Sequence, residues 1–198
     1  MFIVFDEKLI RLEAIVAYQL REETFTQLKG WFKKEEKTSY SIEVYTGPDL
    51  EDYFYETFES ASEADFRYHE LQRHLIDFLK FDDLHLRKEA IMGYRLEEET
   101  IYLMMKNGNE EDYSEVFDEI QEAETRFEKI KQEFPNFVLF DEIYLRTDAV
   151  KAYGLSEDED GYMIELFAIT HPDEVLSETF EDEFQAKARL NELHRLLS

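Results

Sequence analysis

Apolar residues recur at helical spacing in three separate stretches of the chain. Counted from Ala64, Ala123 and Ala186, apolar side chains follow at offsets of 4, 7 and 11 residues, which places them on one face of a helix. These positions are Tyr68, Leu71, Leu75, Phe127, Ile130, Phe134, Leu190, Leu193 and Leu197. The pattern predicts three amphipathic helices, and Ser60 or Ser62 is the expected N-cap of the first.

Segments rich in aromatic and β-branched residues lie between these helices and predict strands. YSIEVY at 40–45, TIYLMM at 100–105 and YMIELFAI at 162–169 each end at turn-forming residues. At 143–154 a short alternating pattern is interrupted by Thr147-Asp148, which predicts two strands joined as a hairpin. The expected sheets are therefore antiparallel.

A sixteen-residue sequence occurs three times without a gap, beginning at Phe5, Phe81 and Phe140. Six of its positions are identical in all three copies. They are Phe5, Phe81 and Phe140; Asp6, Asp82 and Asp141; Arg11, Arg87 and Arg146; Ala14, Ala90 and Ala149; Tyr18, Tyr94 and Tyr153; and Leu20, Leu96 and Leu155. The sequence predicts an α+β protein of three tandem repeats, each with the order strand, strand, strand, short strand, helix.

The predicted repeats span residues 1–80, 81–138 and 139–198. A unit of about 60 residues buries too small a fraction of its surface to be stable alone, so we expect the three to share a core. The first repeat carries additional residues at about 24–39, which include Trp31 and a cluster of lysines. Two alternatives fit this insertion: an added hairpin, or an element that contacts a partner.

Residues that are identical in every repeat are expected to have structural roles. An enzyme normally builds one asymmetric site, whereas a residue present in every copy serves a salt bridge or a turn that every copy needs. This interpretation covers the repeated Phe, Asp, Arg and Tyr positions. It also covers Arg67, Arg126 and Arg189 on the predicted helices.

The chain carries a large excess of acidic residues. It has 48 Asp and Glu against 22 Lys and Arg, a formal net charge of −26, yet its 43% hydrophobic and 15% aromatic content is sufficient for a folded core. Such a charge repels nucleic acids and anionic membranes and attracts basic protein surfaces. Because the sequence has no long apolar run and its N-terminal segment is too acidic for a signal peptide, we expect a cytoplasmic protein.

The sequence offers weak candidates for metal or catalytic sites. There is no cysteine, so thiolate ligands and nucleophiles are excluded. His69 and His74 are five residues apart, and a helix turns their side chains about 140° away from each other. The segment 156–167 has Asp158 and Asp160 in calcium-loop spacing but lacks the first and last carboxylates of such a loop. We therefore predict no cofactor, no metal site and no enzymatic activity.

Acidic clusters follow the repeated Tyr-x-Leu segment in each copy. They consist of Glu22, Glu23, Glu97, Glu98, Glu99, Glu157, Asp158, Glu159 and Asp160. Together with Trp31, these are the predicted partner-binding residues. A row of carboxylates can imitate a nucleic-acid backbone, which favours an inhibitor of a nuclease or phage-defence enzyme of the anti-restriction or anti-CRISPR type.

Two other interpretations of the sequence stay open. An adaptor or immunity-type protein would bind one partner through the insertion at 24–39 or through grooves between repeats. Alternatively, the acidic residues serve only to keep the protein soluble. Direct binding of nucleic acid is not expected at this charge.

Overall fold

A computed structural model describes residues 1–29, 33–47, 50–106, 113–158, 161–171 and 175–198. Within these ranges the chain forms three α-helices and fifteen strands, and all strand pairs are antiparallel. The predicted α+β class is confirmed. No helix in the described ranges is long and apolar enough to cross a membrane.

The chain divides into two compact units, Met1–Ala90 and Ile91–Ser198. The first carries 12 basic and 20 acidic residues, and the second carries 10 basic and 28 acidic residues. The acidic excess is therefore concentrated in the second unit. The predicted division into 1–80, 81–138 and 139–198 stays a prediction.

The described residues of the first unit form seven strands and one α-helix. In chain order they are β1 (Phe2–Phe5), β2 (Lys8–Arg11), β3 (Ala17–Lys29), β4 (Lys33–Tyr45), β5 (Tyr53–Phe58), α1 (Ala61–Gln72), β6 (Phe78–Phe81) and β7 (Leu84–Arg87). β1 and β2 form a separate hairpin, and the other strands form one sheet in the order β5-β4-β3-β7-β6. The hairpin β6–β7 thus extends a three-stranded sheet to five strands.

Eight strands and two α-helices are formed by the described residues of the second unit. In chain order they are β8 (Ile91–Glu97), β9 (Thr100–Met105), β10 (Tyr113–Val116), α2 (Ile120–Glu133), β11 (Phe137–Phe140), β12 (Ile143–Arg146), β13 (Val150–Asp158), β14 (Gly161–Ala168), β15 (Leu176–Phe180) and α3 (Glu183–Leu196). One sheet has the order β10-β9-β8-β12-β11, and the other has the order β13-β14-β15.

The hairpin predicted within 143–154 is wrong. β12 pairs with β11 and β8, whereas β13 pairs with β14 in the other sheet, because a short 3₁₀ turn at Thr147–Ala149 separates the two strands. The hairpin turn lies instead at Asp141 and Glu142, whose φ angles of 46° and 66° are left-handed. The apolar strand before this turn, FVLF in β11, is the strand that the sequence analysis missed.

The helices pack as their apolar periodicity predicts. Leu71, Ile130 and Leu193 are at most 1% exposed, so the predicted face of each helix meets the core. Ser60 is confirmed as the N-cap of α1, because its Oγ accepts a hydrogen bond from the backbone N–H of Glu63 at 3.4 Å.

Each added hairpin covers a buried tyrosine of the sheet that it joins. In the first unit, Tyr18 pairs across the strands with His85, and the two rings stack at 4.7 Å. The Phe78 ring contacts Tyr18 edge-on at 5.2 Å, and Tyr18 is 1% exposed. Burial in turn lowers the pKa of His85, whose Nδ1 lies 2.8 Å from the Tyr68 hydroxyl.

The second unit builds the same junction with a different pair of rings. Tyr94 pairs with Tyr144, and their rings are parallel to within 3° at 5.0 Å. The Phe137 ring lies 5.3 Å from Tyr94, and burial raises the pKa of the Tyr94 hydroxyl. The aromatic contacts therefore join hairpin and sheet in both units.

The insertion at 24–39 lengthens the hairpin of β3 and β4. These strands pair continuously from Ala17 opposite Tyr45 to Lys29 opposite Lys33. The added residues thus continue strands that are already present, which is the hairpin alternative of the sequence analysis. Trp31 lies outside the described residues.

Gly93 provides a test of how tightly the second junction packs. A Cβ at this position would lie 2.9 Å from Met104 Sδ and 3.2 Å from the Tyr144 carbonyl oxygen. We expect Gly93→Ala to lower the free energy of unfolding by about 1 kcal/mol, because the strands must separate to admit the methyl group. Urea unfolding measures the change.

Gly154→Ala is the matched control for this substitution. An added Cβ at Gly154 meets nothing within 4 Å, so this variant should unfold within about 0.5 kcal/mol of the parent. Equal unfolding midpoints for the two variants would contradict tight packing at Gly93.

Candidate functional site

The acidic clusters lie on corresponding strands of the three sheets. Glu22 and Glu23 are on β3, Glu97 ends β8, and Glu98 and Glu99 form the turn from β8 to β9. All five are exposed, as is Glu157 on β13. Glu159 and Asp160 lie outside the described residues; Asp158 is the last residue of β13.

Arginines on the same strands neutralise part of two clusters. Arg21 Nε lies 3.5 Å from a Glu23 carboxylate oxygen, and an Arg95 terminal nitrogen lies 3.3 Å from Glu97. Each pair joins residues two positions apart, whose side chains share one face of the strand. Exposed pairs of this kind contribute little to stability, so they mainly reduce the local negative charge.

The second cluster lines a cleft in the second unit together with the β11–β12 turn. The cleft has a volume of about 470 Å³ and brings Glu97 and Glu98 beside Asp141 and Glu142. Its other lining residues are Arg95, Leu96, Ile143, His171 and Leu176. Four carboxylates in one cleft form a surface suited to a basic side chain of a partner.

Asp141 is the most perturbed carboxylate of this cleft. Burial raises its pKa, and the nearby negative charges of Glu178 and Glu142 raise it further. Its backbone N–H donates to Glu178 Oε1 at 3.2 Å, which fixes the turn against β15. A cation bound in the cleft would favour the ionised form of Asp141.

A second cleft lies at the base of the extended hairpin in the first unit. It has a volume of about 560 Å³. Its lining residues are Phe25, Lys37, Thr38, Ser39, Thr57, Phe58 and Glu59. Phe25 is 47% exposed, so this cleft presents an aromatic ring beside a lysine.

The repeated Phe and Arg residues have structural contacts. Phe5, Phe81 and Phe140 are at most 1% exposed. Arg87 donates to the backbone carbonyls of Leu12 and Ile15, and Arg146 donates to that of Ile91 at 3.3 Å. The repeated tyrosines Tyr18 and Tyr94 form the hairpin junctions described above, and the structural interpretation of the repeated positions stays a prediction. Arg11 lies over the Phe2 ring at 5.5 Å, and the Tyr153 hydroxyl lies 2.8 Å from His194 Nδ1.

Arg67 and Arg189 each connect a helix to a strand and to a hairpin by hydrogen bonds. Arg189 on α3 forms two hydrogen bonds to Glu178 on β15, at 2.8 and 2.9 Å, and one to the carbonyl of Leu139 on β11. Arg67 makes the corresponding bonds to Glu56 and to the carbonyl of Val4. Arg126 bonds Glu115 at 2.9 Å.

Glu43 is a buried carboxylate that the sequence analysis did not single out. It is 8% exposed, and both the Tyr45 hydroxyl and the Gln19 amide donate to it at 2.5 Å. Burial raises the pKa of Tyr45, and the hydrogen bond to Glu43 raises it further. The alternation of YSIEVY alone gives no sign of this network, because its partners come from two strands.

His69 and His74, the two histidines of HELQRH, lie in different environments. His69 Nδ1 lies 2.9 Å from the Gln72 side-chain oxygen on the same helix, while His74 follows the end of α1. Among the residues that the structure describes, no group of three or more His, Asp and Glu side chains is placed to hold a metal ion.

Comparison with protein-family models, with curated proteins and with solved structures finds no match to this chain.

The Arg189 contacts predict an unequal effect of two neighbouring substitutions. Arg189→Met leaves the half-buried Glu178 carboxylate without its two guanidinium bonds, and we expect a loss of about 2–3 kcal/mol in the free energy of unfolding. Lys187→Met removes an exposed pair with Glu183 and should cost less than about 0.5 kcal/mol. Urea unfolding compares them, and equal losses would contradict the role of Arg189.

Proposed function

We propose that the chain consists of three tandem repeats and acts as a non-enzymatic, cytoplasmic protein that binds a partner with a basic surface. The observation that carries this proposal is the cleft in which Glu97 and Glu98 lie beside Asp141 and Glu142. Two acidic turns from different parts of the sequence meet there. The series hairpin, 3₁₀ turn, three strands and helix, present three times along the chain, supports the repeat interpretation.

Within this class, a nucleic-acid mimic is the interpretation that we favour. Exposed carboxylates can replace phosphates in the basic groove of a nuclease, another DNA- or RNA-processing enzyme, or a phage-defence enzyme, which would be inhibited by the occupation of its groove. The 28 acidic residues of the second unit support this interpretation, because they greatly outnumber its 10 basic ones. Nucleic acid itself would be repelled.

Mimicry makes binding sensitive to salt and to competing DNA. With the protein immobilised, we expect a lysate of the source organism to yield a basic nucleic-acid enzyme at low salt. Duplex DNA should displace that enzyme, and a rise to about 0.5 M NaCl should release it, because exposed charges are screened beyond about 4 Å at that ionic strength. Mass spectrometry identifies the bound protein. A retained partner that is indifferent to both salt and DNA would overturn mimicry.

A pair of double variants locates the binding surface. Glu98→Gln with Glu99→Gln should weaken capture at low salt about tenfold, because each exposed charge contact contributes up to about 1 kcal/mol. Asp118→Asn with Glu181→Gln removes the same amount of charge at two other exposed positions of the second unit. Equal weakening by both double variants would indicate an effect of net charge rather than a site at the β8–β9 turn.

The aromatic cleft at the base of the extended hairpin favours a second candidate function. Phe25 and Phe58 line it together with Lys37, which is the kind of surface that an adaptor or immunity-type protein presents to one partner. This candidate places binding in the first unit, away from the acidic cleft of the second.

Shortening the hairpin separates the two candidates. Glu23 pairs with Ser39, so replacing residues 24–38 by Asn-Gly closes the same two strands with a two-residue turn. If the protein is an adaptor, capture of the partner is lost although the acidic cleft is intact. If it is a mimic, the shortened protein still captures the partner, and binding stays sensitive to salt.

A further inference from the structure

Of the edge strands in the described part of the chain, β2 and β13 are distinctive, because their counterparts elsewhere in the chain each have two neighbours. β2 pairs with β1, and β13 pairs with β14. In the alignment of the sixteen-residue sequences, β2 corresponds to β7 and β12, and β13 corresponds to β3 and β8. Those corresponding strands pair with each other, β7 with β3 and β12 with β8. The chain thus forms the same junction twice, between a hairpin (the docking half) and the edge of a three-stranded sheet (the receiving half). It carries one further copy of the docking half, β1–β2, and one further copy of the receiving half, β13-β14-β15.

The first hairpin, β1–β2, has the features of a docking hairpin. Phe2 and Leu9 are 53% and 70% exposed. Their counterparts are Phe78 and His85 on one hairpin and Phe137 and Tyr144 on the other, and all four contact the buried tyrosine of a sheet. In the first hairpin, the side chains at the docking positions are therefore exposed instead of packed on a buried tyrosine.

The Arg11 guanidinium of the first hairpin has the same position as the Arg87 guanidinium of the docked hairpin β6–β7. Arg11 lies over the Phe2 ring at 5.5 Å, as Arg87 lies over Phe78 at 4.8 Å. Arg87 at the same time donates to the carbonyl of Ile15 at 2.6 Å. Arg11 is therefore already placed on its own hairpin for the same bond.

The last sheet, β13-β14-β15, has the features of the receiving half. Tyr153 is half-buried, whereas its counterparts Tyr18 and Tyr94 are each 1% exposed. Ala152 is exposed, whereas its counterpart Ala17 is fully buried beneath β7. The part of this sheet that corresponds to a docking surface is therefore uncovered.

We propose that the hairpin β1–β2 of one copy of the chain docks on β13 of a second copy. The two internal junctions share one register, Ala17 opposite Leu86 and Gly93 opposite Leu145. The same register places Ala152 opposite Ile10 and Tyr153 opposite Leu9 of the second copy. Arg11 then donates to the carbonyl of Val150, which corresponds to Ile15 and Ile91.

The occupant is a second copy rather than an unrelated strand because the docking half brings specific ring contacts. Lys151 stands on β13 where the other sheets have Val16 and Met92, and a lysine at a sheet edge disfavours unspecific strand addition. The contacts of Phe2 and Leu9 with Tyr153 would compensate for the unfavourable lysine, and an unrelated strand would lack them. Because the two halves are different surfaces, the contact is head-to-tail and can continue beyond a dimer.

Association should be weak and should strengthen with salt. One hairpin forms a small interface, and each copy carries a formal charge of −26, so copies repel at low ionic strength. We expect dissociation constants on the order of 10–100 µM at about 0.5 M NaCl. This inference does not depend on the proposed binding to a basic partner, and the two respond oppositely to salt, since binding to a basic partner weakens as salt rises.

Sedimentation equilibrium of the full chain tests the proposal. From about 5 to 500 µM protein, the weight-average mass should rise above 23.9 kDa, and it should rise more at about 0.5 M than at about 0.05 M NaCl. A mass of 23.9 kDa at every concentration and both salt levels would overturn the proposal.

Three variants show whether the contact is head-to-tail. Leu9→Glu damages the docking half and Ala152→Glu damages the receiving half, and both positions are exposed, so each variant should fold and stay monomeric. An equimolar mixture should form dimers and nothing larger, because each variant supplies one intact half. A mixture that stays monomeric would overturn the proposal.

Val4→Glu is the matched control. Val4 is 62% exposed on the first hairpin, and its counterpart Lys80 stays exposed on a docked hairpin. The control adds the same charge to the same hairpin as Leu9→Glu but should associate like the parent. Equal loss of association in both variants would contradict the proposed register.

Discussion

Coverage of a buried tyrosine ring by the following hairpin is the contact on which both compact units depend. Tyr18 and Tyr94 stand at the centres of their five-stranded sheets, where a three-stranded sheet would leave a large ring exposed. The hairpin supplies two rings and an arginine to close that position. Aromatic packing thus links segments that are far apart in sequence, together with the pairing of β7 with β3 and of β12 with β8.

The large acidic excess is compatible with this core because most of the described carboxylates are exposed to solvent. Where a carboxylate is partly buried, as Glu56 and Glu178 are, a helix arginine binds it with two hydrogen bonds. The buried Glu43 receives its shortest bonds from the neutral donors Gln19 and Tyr45, and Arg21 lies 3.4 Å from its other carboxylate oxygen. Repulsion is therefore strongest at the surface, where solvent and salt screen it.

The sequence predicted the elements of the fold better than their connections. The helical faces that contain Leu71, Ile130 and Leu193 could be predicted because a spacing of 3.6 residues is a local property. The pairing of β12 with β8 was not, because strand partners depend on contacts between distant segments. The four-residue strands β1, β6 and β11 were missed because they are too short to show a period, and they directly precede the segment used for the alignment.

The candidate site also combines features that the sequence could predict with features that depend on strand pairing. The acidic clusters were visible as runs of letters, including Glu97 and Glu98. That the turn at Asp141 and Glu142 lies in the same cleft follows from the pairing of β12 with β8, which no local pattern indicates. The repeated Asp was assigned a structural role, in a salt bridge or a turn, and its position beside another acidic cluster required the three-dimensional structure.

The two hairpin junctions differ in one respect that concerns protons. The ring stacked on Tyr18 is His85, whose pKa lies below the usual 6.5 because burial disfavours the charged imidazolium, whereas the corresponding ring on Tyr94 is Tyr144. A histidine that is neutral when folded stabilises its junction at neutral pH, and this contribution is lost as pH falls below the unfolded value. The ring at the corresponding position of the second junction is a phenol and not an imidazole. Acidic surroundings would therefore loosen the first unit at its aromatic junction while leaving the matching junction of the second unit closed.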